Sequence, residues 1–279
     1  MPEFAEVHSQ VCWLRSKVQG APIEEYGCTG GQHFPELKGN PKKDALLRAF
    51  FVGATLQSVT QRGKYVVFRL STGTVLAHLM FHGRWSIAGD PFTSNYKHHR
   101  APPEPVSAGL WLRVGGRSMG FHDPEYKARV HAFPGSLPAA VEELQELGPD
   151  ILQTPETDPE YPRPWAAEDL VKATSKSRTA IKALLLDQKK QAGIGNMYAC
   201  EALYRAGLRP DRASNTLAEA DARRLHGAVQ AVVGEALATN LDYDRVLKVY
   251  KREKDPEGRK VLCTQVGGRD TFWVAEAQA

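Results

Sequence analysis

Two short stretches of this chain hold residues able to do chemistry. At the start, "MPEFAEVH" sets two carboxylates, Glu3 and Glu6, just after a proline, Pro2. Far downstream, "QAGIGNMYACEALYRAG" places Gly193 and Gly195 around Ile194, with Asn196 at the head of a helical pattern. Glycines there let the backbone approach a ligand closely, and the open N–H groups of a helix start favour an anion such as a phosphate. Asn196 adds a side-chain donor. Each stretch also has a purely structural reading. Proline suits a first helical turn and glutamate its N-terminal dipole. The G-x-G-N pattern also describes a tight helix–helix turn with Asn196 as an ordinary N-cap.

These residues need elements to position them. Phe4, Val7, Val11, Leu14 and Val18 recur at spacings of three and four, the apolar face of a helix beginning near residue 3. That helix docks the N-terminus. From about residue 49 to 122, "YVVFRL", "TVLAHLM", "LWLRV" and "SMGFH" read as short strands, with Ser71-Thr72-Gly73 and Gly115-Gly116 as hairpin turns. They imply a sandwich or barrel. A helix over "PAAVEELQELG" closes this half, and the proline- and acid-rich "DILQTPETDPEYPRPW" reads as a linker. The second half is helical, through "SRTAIKALLLDQKK", "MYACEALYRAG" and a longer helix opened by a Thr216–Glu219 capping box. The last thirty residues return to short strands around "DPEGRK" and "GGRD".

Composition excludes several classes. The 279 residues are 42% hydrophobic and 24% charged, which suits a globular chain with a real core. No apolar run is long enough to span a membrane. The first twenty residues have no secretory signal pattern, so a cytoplasmic location is expected. Cys12, Cys28, Cys200 and Cys263 lie far apart with no C-x-x-C pair, which argues against a zinc site and against a disulfide framework. The net charge of +4 permits a polyanionic partner without demanding one.

"LLLDQKKQAGIGNMYACEALYRAGLRP" resembles the helix–two-turn–helix signature of the formamidopyrimidine-DNA glycosylase and endonuclease VIII family. "MPEFAEVH" resembles that family's N-terminus. "RGKYVVF" is similar to its lysine-bearing strand, "LGPD" to its lead into the linker, and "GGRDTFWVAEAQ" to its C-terminal hairpin. The matches run in family order along the whole chain. The resemblance implies that Pro2, freed of Met1, is an amine nucleophile, with Glu3 as general acid/base, Glu6 as a second carboxylate and Lys64 as a further catalytic residue. It also implies a phosphate grip by Lys64, His78, Asn196 and Arg269, with Gly193 and Gly195 in the same DNA-binding turn.

The chain departs from the family pattern in places. Ala5 stands where proline is usual and His8 where glutamate is usual. The hairpin cysteines are missing, with Val274 and Ala277 at two of their positions, "EKDPEGRK" replacing the first pair, and Cys263 left alone. This resembles the zincless-finger variant, so neither metal nor other cofactor is expected, and Phe272 and Trp273 are expected to pack the hairpin. The usual residues that fill the gap left by an extruded base are absent. "HLMFHG" offers Met80, Phe81 and His82 for that role, with burial of Phe81 between strands as the alternative, and Glu125 and Lys127 stand where the arginine and phenylalanine are expected.

The expected architecture is α+β. It comprises an N-terminal helix with an antiparallel β-sandwich over 1–150, a linker over 151–165, a helix–two-turn–helix domain over 166–245 and a zincless hairpin finger over 246–279. The expected function is a bifunctional DNA glycosylase and AP lyase acting as a monomer on damaged DNA, through its phosphate backbone and an extruded nucleotide, with no membrane partner. The alternative is a catalytically silent binder of damaged, abasic or unusual DNA on the same fold.

Overall fold

The computed structural model describes residues 2–28, 41–80, 82–96, 109–123, 127–157, 159 and 163–279. The chain divides into two compact units. One comprises residues 1–2, 6–145 and 155–162, and the other residues 3–5, 146–154 and 163–279.

Helix α1 (Phe4–Val18) opens the chain, with Val7, Val11, Leu14 and Val18 fully buried, as their spacing predicts. Strand β1 (Ile23–Cys28) and helix α2 (Pro41–Phe51) follow; neither is anticipated from sequence. The sandwich then runs through β2 (Leu56–Arg62), β3 (Tyr65–Leu70), β4 (Gly73–His78), β5 (Arg84–Ile87), β6 (Leu110–Val114), β7 (Arg117–His122) and β8 (Arg129–Pro134). The strands form two antiparallel four-stranded sheets, ordered β1-β6-β7-β5 and β2-β3-β4-β8. Their inner faces share one apolar core with α1. Phe68 of one sheet meets Trp85 of the other edge-on, ring centroids 5.0 Å apart. Gly115 and Gly116 both take positive φ, the type I′ geometry that joins β6 to β7 in two residues.

The helix expected over "PAAVEELQELG" is broken. A 3₁₀ turn at Pro138–Ala140 gives way at Val141, which is extended, and only Glu142–Gln145 is α-helical, as α3.

The second unit holds α4 (Ala167–Ser175), α5 (Ile181–Leu186), α6 (Asn196–Arg205), α7 (Glu219–Ala238) and α8 (Tyr243–Val246), then a hairpin of β9 (Leu262–Val266) and β10 (Arg269–Trp273). Helix α5 stops well short of its expected length. The Asp187 carboxylate accepts the Lys189 N–H at 3.0 Å, a local turn that competes with further helix. The Thr216–Glu219 capping box does not form. Thr216 lies in a 3₁₀ turn with its hydroxyl on the Ala213 carbonyl, and Glu219 is the first residue of α7, preceded by Ala218. Helix α6 is buried along most of its length, including Glu201, whose carboxylate accepts the N–H groups of Lys248, Val249 and Tyr250 at 2.8–2.9 Å.

Candidate active site

In the second unit, Glu3 is 1% exposed, and its Oε1 accepts the backbone N–H of Met197 at 2.9 Å. Met197 is the second residue of α6, so the carboxylate occupies the positive end of that helix. The anion at this helix start is therefore one supplied by the chain itself. The glycines explain how it fits. A Cβ built on Gly195 would lie 2.4 Å from Glu3 Oε2, and one on Gly193 would lie 2.8 Å from the Phe4 ring and 3.0 Å from Ile151. Gly193 also takes φ +116, which disfavours any side chain. The close approach these glycines permit is that of residues 3 and 4 and of Ile151.

Asn196 is the first residue of α6, not its N-cap; Gly195 holds that position. Its side chain instead crosses to the hairpin, where Nδ2 donates to the Asp270 carbonyl at 2.8 Å. The preceding residue, Arg269, opens β10 and is exposed. Three further residues, not evident from sequence, hold this corner. Lys182 of α5 is fully buried and donates to Thr271 Oγ1 at 2.7 Å and the Asp270 carbonyl at 3.2 Å. Burial pulls its ammonium below the ordinary lysine range. Tyr250 packs edge-on against Phe272 at 5.2 Å, and its phenol is pushed up by burial against the opposing effect of a hydrogen bond with Asn196. Arg209 stacks over the Trp273 ring at 5.1 Å.

The segment expected as strand at "DPEGRK" is a turn with a single bridge, Lys254 to Lys260. Asp255 organises it. Its carboxylate accepts the N–H groups of Glu257 and Arg259, the Arg259 guanidinium at 2.7 Å and the Tyr204 hydroxyl. Burial works to raise this carboxyl, and the Arg259 and Tyr204 hydrogen bonds overcome it, so it sits below the usual range. Beneath the turn, Val249, Val261 and Val274 form a small core with Phe272 and Ala277. An ion-paired turn and apolar packing thus support the hairpin.

In the first unit, Lys64 lies in the two-residue turn between β2 and β3, not on the strand expected, and is mostly buried. His78 ends β4, opposite Tyr65 on β3 and Arg129 on β8. Its Nδ1 accepts the Met80 N–H at 3.1 Å, which leaves Nε2 as the protonated, donating nitrogen. Burial, then the charges of Lys64 and Arg129, lower His78 to about 4. Lys64, His78 and Arg129 make a cationic sheet end with a neutral imidazole in it. Met80 has φ 50, an uncommon conformation for a non-glycine residue, and packs against the sandwich core. His82 is exposed; Phe81 lies outside the described residues, as do Met1 and Glu125. Lys127 is exposed, with its N–H on Asp123. Glu6 is buried in the first turn of α1. Among the described residues, no helix is long and apolar enough to cross a membrane.

A β-sandwich unit and a helical unit with a hairpin, joined to an N-terminal Pro-Glu pair, define the class of DNA-repair glycosylases built on the helix–two-turn–helix. Residues 1–130 match the formamidopyrimidine-DNA glycosylase N-terminal domain, and residues 157–245 match the H2TH domain of the same family. The formamidopyrimidine-DNA glycosylase of Rhodopseudomonas palustris is 30% identical over the full length of both chains, and that of Geobacillus kaustophilus is 27% identical, again over both full lengths. Among solved structures, the MutM (Fpg) protein of Thermus thermophilus superposes with a TM-score of 0.77 at 29% identity, covering 99% of this chain and 98% of that one. The Lactococcus lactis Fpg in complex with abasic-site DNA shares the fold, with a TM-score of 0.79 at 22% identity over all of both chains. This chain belongs to the formamidopyrimidine-DNA glycosylase/endonuclease VIII family.

Proposed function

We propose that the protein is a bifunctional DNA glycosylase and AP lyase that excises oxidised bases from DNA. The observation that carries this reading is the Glu3 carboxylate, fixed on the Met197 N–H at 2.9 Å and covalently next to Pro2. An amine nucleophile needs a proton-handling group at its side, held in one place.

The amine of Pro2, exposed by removal of Met1, attacks C1′ of the damaged nucleoside. The N–C1′ bond forms as the glycosidic bond breaks, and the base departs with a proton managed through Glu3. The adduct loses the amine proton and its C1′–O4′ bond opens as O4′ takes up a proton, and the resulting ring-opened iminium acidifies the C2′ hydrogen. Loss of that proton expels the 3′ phosphate and cleaves the strand. Glu6 is a second carboxylate in the same helical turn region, and Lys64 assists the chemistry. Lys64, His78, Asn196 and Arg269 hold phosphates, which positions the strand without reading its sequence. Gly193 and Gly195 serve this turn by admitting residues 3 and 4, and so let Glu3 reach α6. Met80, Phe81 and His82 fill the gap left by the extruded nucleotide. The protein acts as a monomer.

The test is borohydride trapping on duplexes carrying oxidised bases or an abasic site. A covalent protein–DNA adduct is expected, and Pro2→Gly removes it. No adduct on any substrate, from protein whose N-terminus is verified as Pro2, overturns this reading and leaves the silent DNA binder on this fold standing.

A further inference from the structure

His8 replaces the glutamate usual in this family, and the proposed chemistry makes no use of it. On α1 it stands four residues before Cys12, so both side chains leave the same helical face. His8 Nε2 lies 3.3 Å from Cys12 Sγ and 3.8 Å from Glu156 Oε2, and the three donor atoms lie within 4.8 Å of one another. A tetrahedral zinc ion with ordinary bond lengths sets its nitrogen and sulfur ligands about 3.5 Å apart and its nitrogen and oxygen ligands about 3.4 Å apart. The observed spacings need only small side-chain rotations to meet those values.

The surroundings are those of a built site. Gln61 is fully buried, and its Oε1 lies 3.2 Å from His8 Nδ1. It thereby accepts the Nδ1 proton and leaves the Nε2 lone pair facing Cys12 and Glu156, as an outer-shell partner does for a ligating histidine. The segment that brings Glu156 is itself fastened. Its carbonyl accepts the Gln61 N–H at 2.8 Å, Thr157 bridges to Gln61, and Arg15 of α1 holds the Pro155 carbonyl at 2.8 Å. The His8 and Glu156 side chains are 12% and 23% exposed, so an ion can reach them from solvent.

We propose that His8, Cys12 and Glu156 form a metal site for a zinc-class divalent cation, with water as fourth ligand, distinct from the cysteine site this family's hairpin has lost here. One nitrogen, one sulfur and one carboxylate oxygen suit zinc or cobalt over magnesium or calcium. Burial, with the nearby Glu156 charge, pushes the Cys12 thiol up to about 11, so the metal displaces its proton to solvent as the S–metal bond forms. Sequence spacing hides the site, because it joins a helical His-x-x-x-Cys pair to a residue 144 positions beyond Cys12 (156 − 12). Bound metal pins α1 to residues 155–157.

The test strips the full-length protein with chelator and titrates it with cobalt(II) alone, and separately with zinc(II). One equivalent of cobalt is expected to give a thiolate charge-transfer band with the intense visible bands of a four-coordinate ion, and zinc is expected to bleach both and raise Tm. Cys12→Ser removes the charge-transfer band, and Glu156→Gln, a change on a partly exposed segment, weakens binding by roughly tenfold or more. Cys263→Ser, which removes the exposed hairpin thiol, leaves the band intact. Absence of the band, its persistence in Cys12→Ser, or its loss in Cys263→Ser overturns the proposal.

Discussion

Asn196 donates from Nδ2 to the carbonyl of Asp270 at 2.8 Å, and so ties the first residue of α6 to the peptide that follows Arg269. A primary amide has two N–H groups, so one fastens the hairpin while the side chain also hydrogen-bonds the Tyr250 phenol, and the proposed phosphate contact requires Asn196 to give up Tyr250. Two proposed phosphate contacts, 73 residues apart in the chain (269 − 196), are therefore mechanically joined.

That link predicts coupling. Arg269→Ala lowers affinity for damaged and undamaged duplex alike and reduces the log–log salt slope by about one. Asn196→Ala, although it removes no charge, frees β10 and so weakens part of the Arg269 contribution. The double variant then loses less than the sum of the two, with a coupling of about 1 kcal/mol. Binding isotherms over a salt series measure all three, and strict additivity refutes the link.

Glu3→Gln keeps an oxygen to accept the Met197 N–H but removes the charge. Base excision is expected to fall by roughly 10²- to 10⁴-fold, with cleavage of a preformed abasic site less affected and Tm nearly unchanged. Gly195→Ala tests the same carboxylate from its other side. Gly195 takes no positive φ, so the added methyl acts by its 2.4 Å clash with Glu3 Oε2. It is expected to lower excision far more than DNA affinity. Single-turnover excision and equilibrium binding on one substrate separate the two, and equal losses in both contradict the assignment.

What the sequence reveals here follows the range of the interactions. Helix α1 is legible because Val7, Val11, Leu14 and Val18 write one apolar face within fifteen residues. The Gly115-Gly116 and Ser71-Thr72 hairpins are legible because turn chemistry is local. Strand β1 escapes notice because "IEEYGC" alternates poorly, with exposed Glu24 and Glu25 adjacent. The role of Gly195 is hidden for a different reason. Its constraint comes from Glu3, almost two hundred residues away, and a G-x-G-N string cannot say whether the anion it admits is a ligand or part of the chain. The same holds for Asp255, whose partners Arg259 and Tyr204 lie on a turn and a helix.

The hairpin makes a prediction about that network. Asp255→Ala leaves the Arg259 guanidinium, the Tyr204 hydroxyl and two backbone N–H groups without their common acceptor. Tm is expected to drop and Arg269-dependent DNA affinity with it, whereas chelator leaves that affinity and its salt slope unchanged. Chelator-sensitive affinity that parallels the Asp255 variant shows that a metal, not this turn, holds the hairpin.

His78 makes the last prediction, about pH. Burial, with Lys64 and Arg129 nearby, puts its folded value at about 4, below the ordinary histidine value of about 6.5. Between those values the unfolded chain binds more protons than the folded one, so stability from this group is fully present above about pH 6.5 and is lost as pH falls toward 4. The loss amounts to about 3 kcal/mol at most. His8 is lowered too, chiefly by burial, and acts in the same direction, so the comparison must isolate His78. His78→Asn is expected to be less stable than the parent at pH 7.5 and to close most of that gap by pH 4.5. Urea unfolding at the two pH values measures it. An unchanged gap means that His78 titrates in the folded protein near the ordinary histidine value, so that burial and the two neighbouring cations do not hold it neutral.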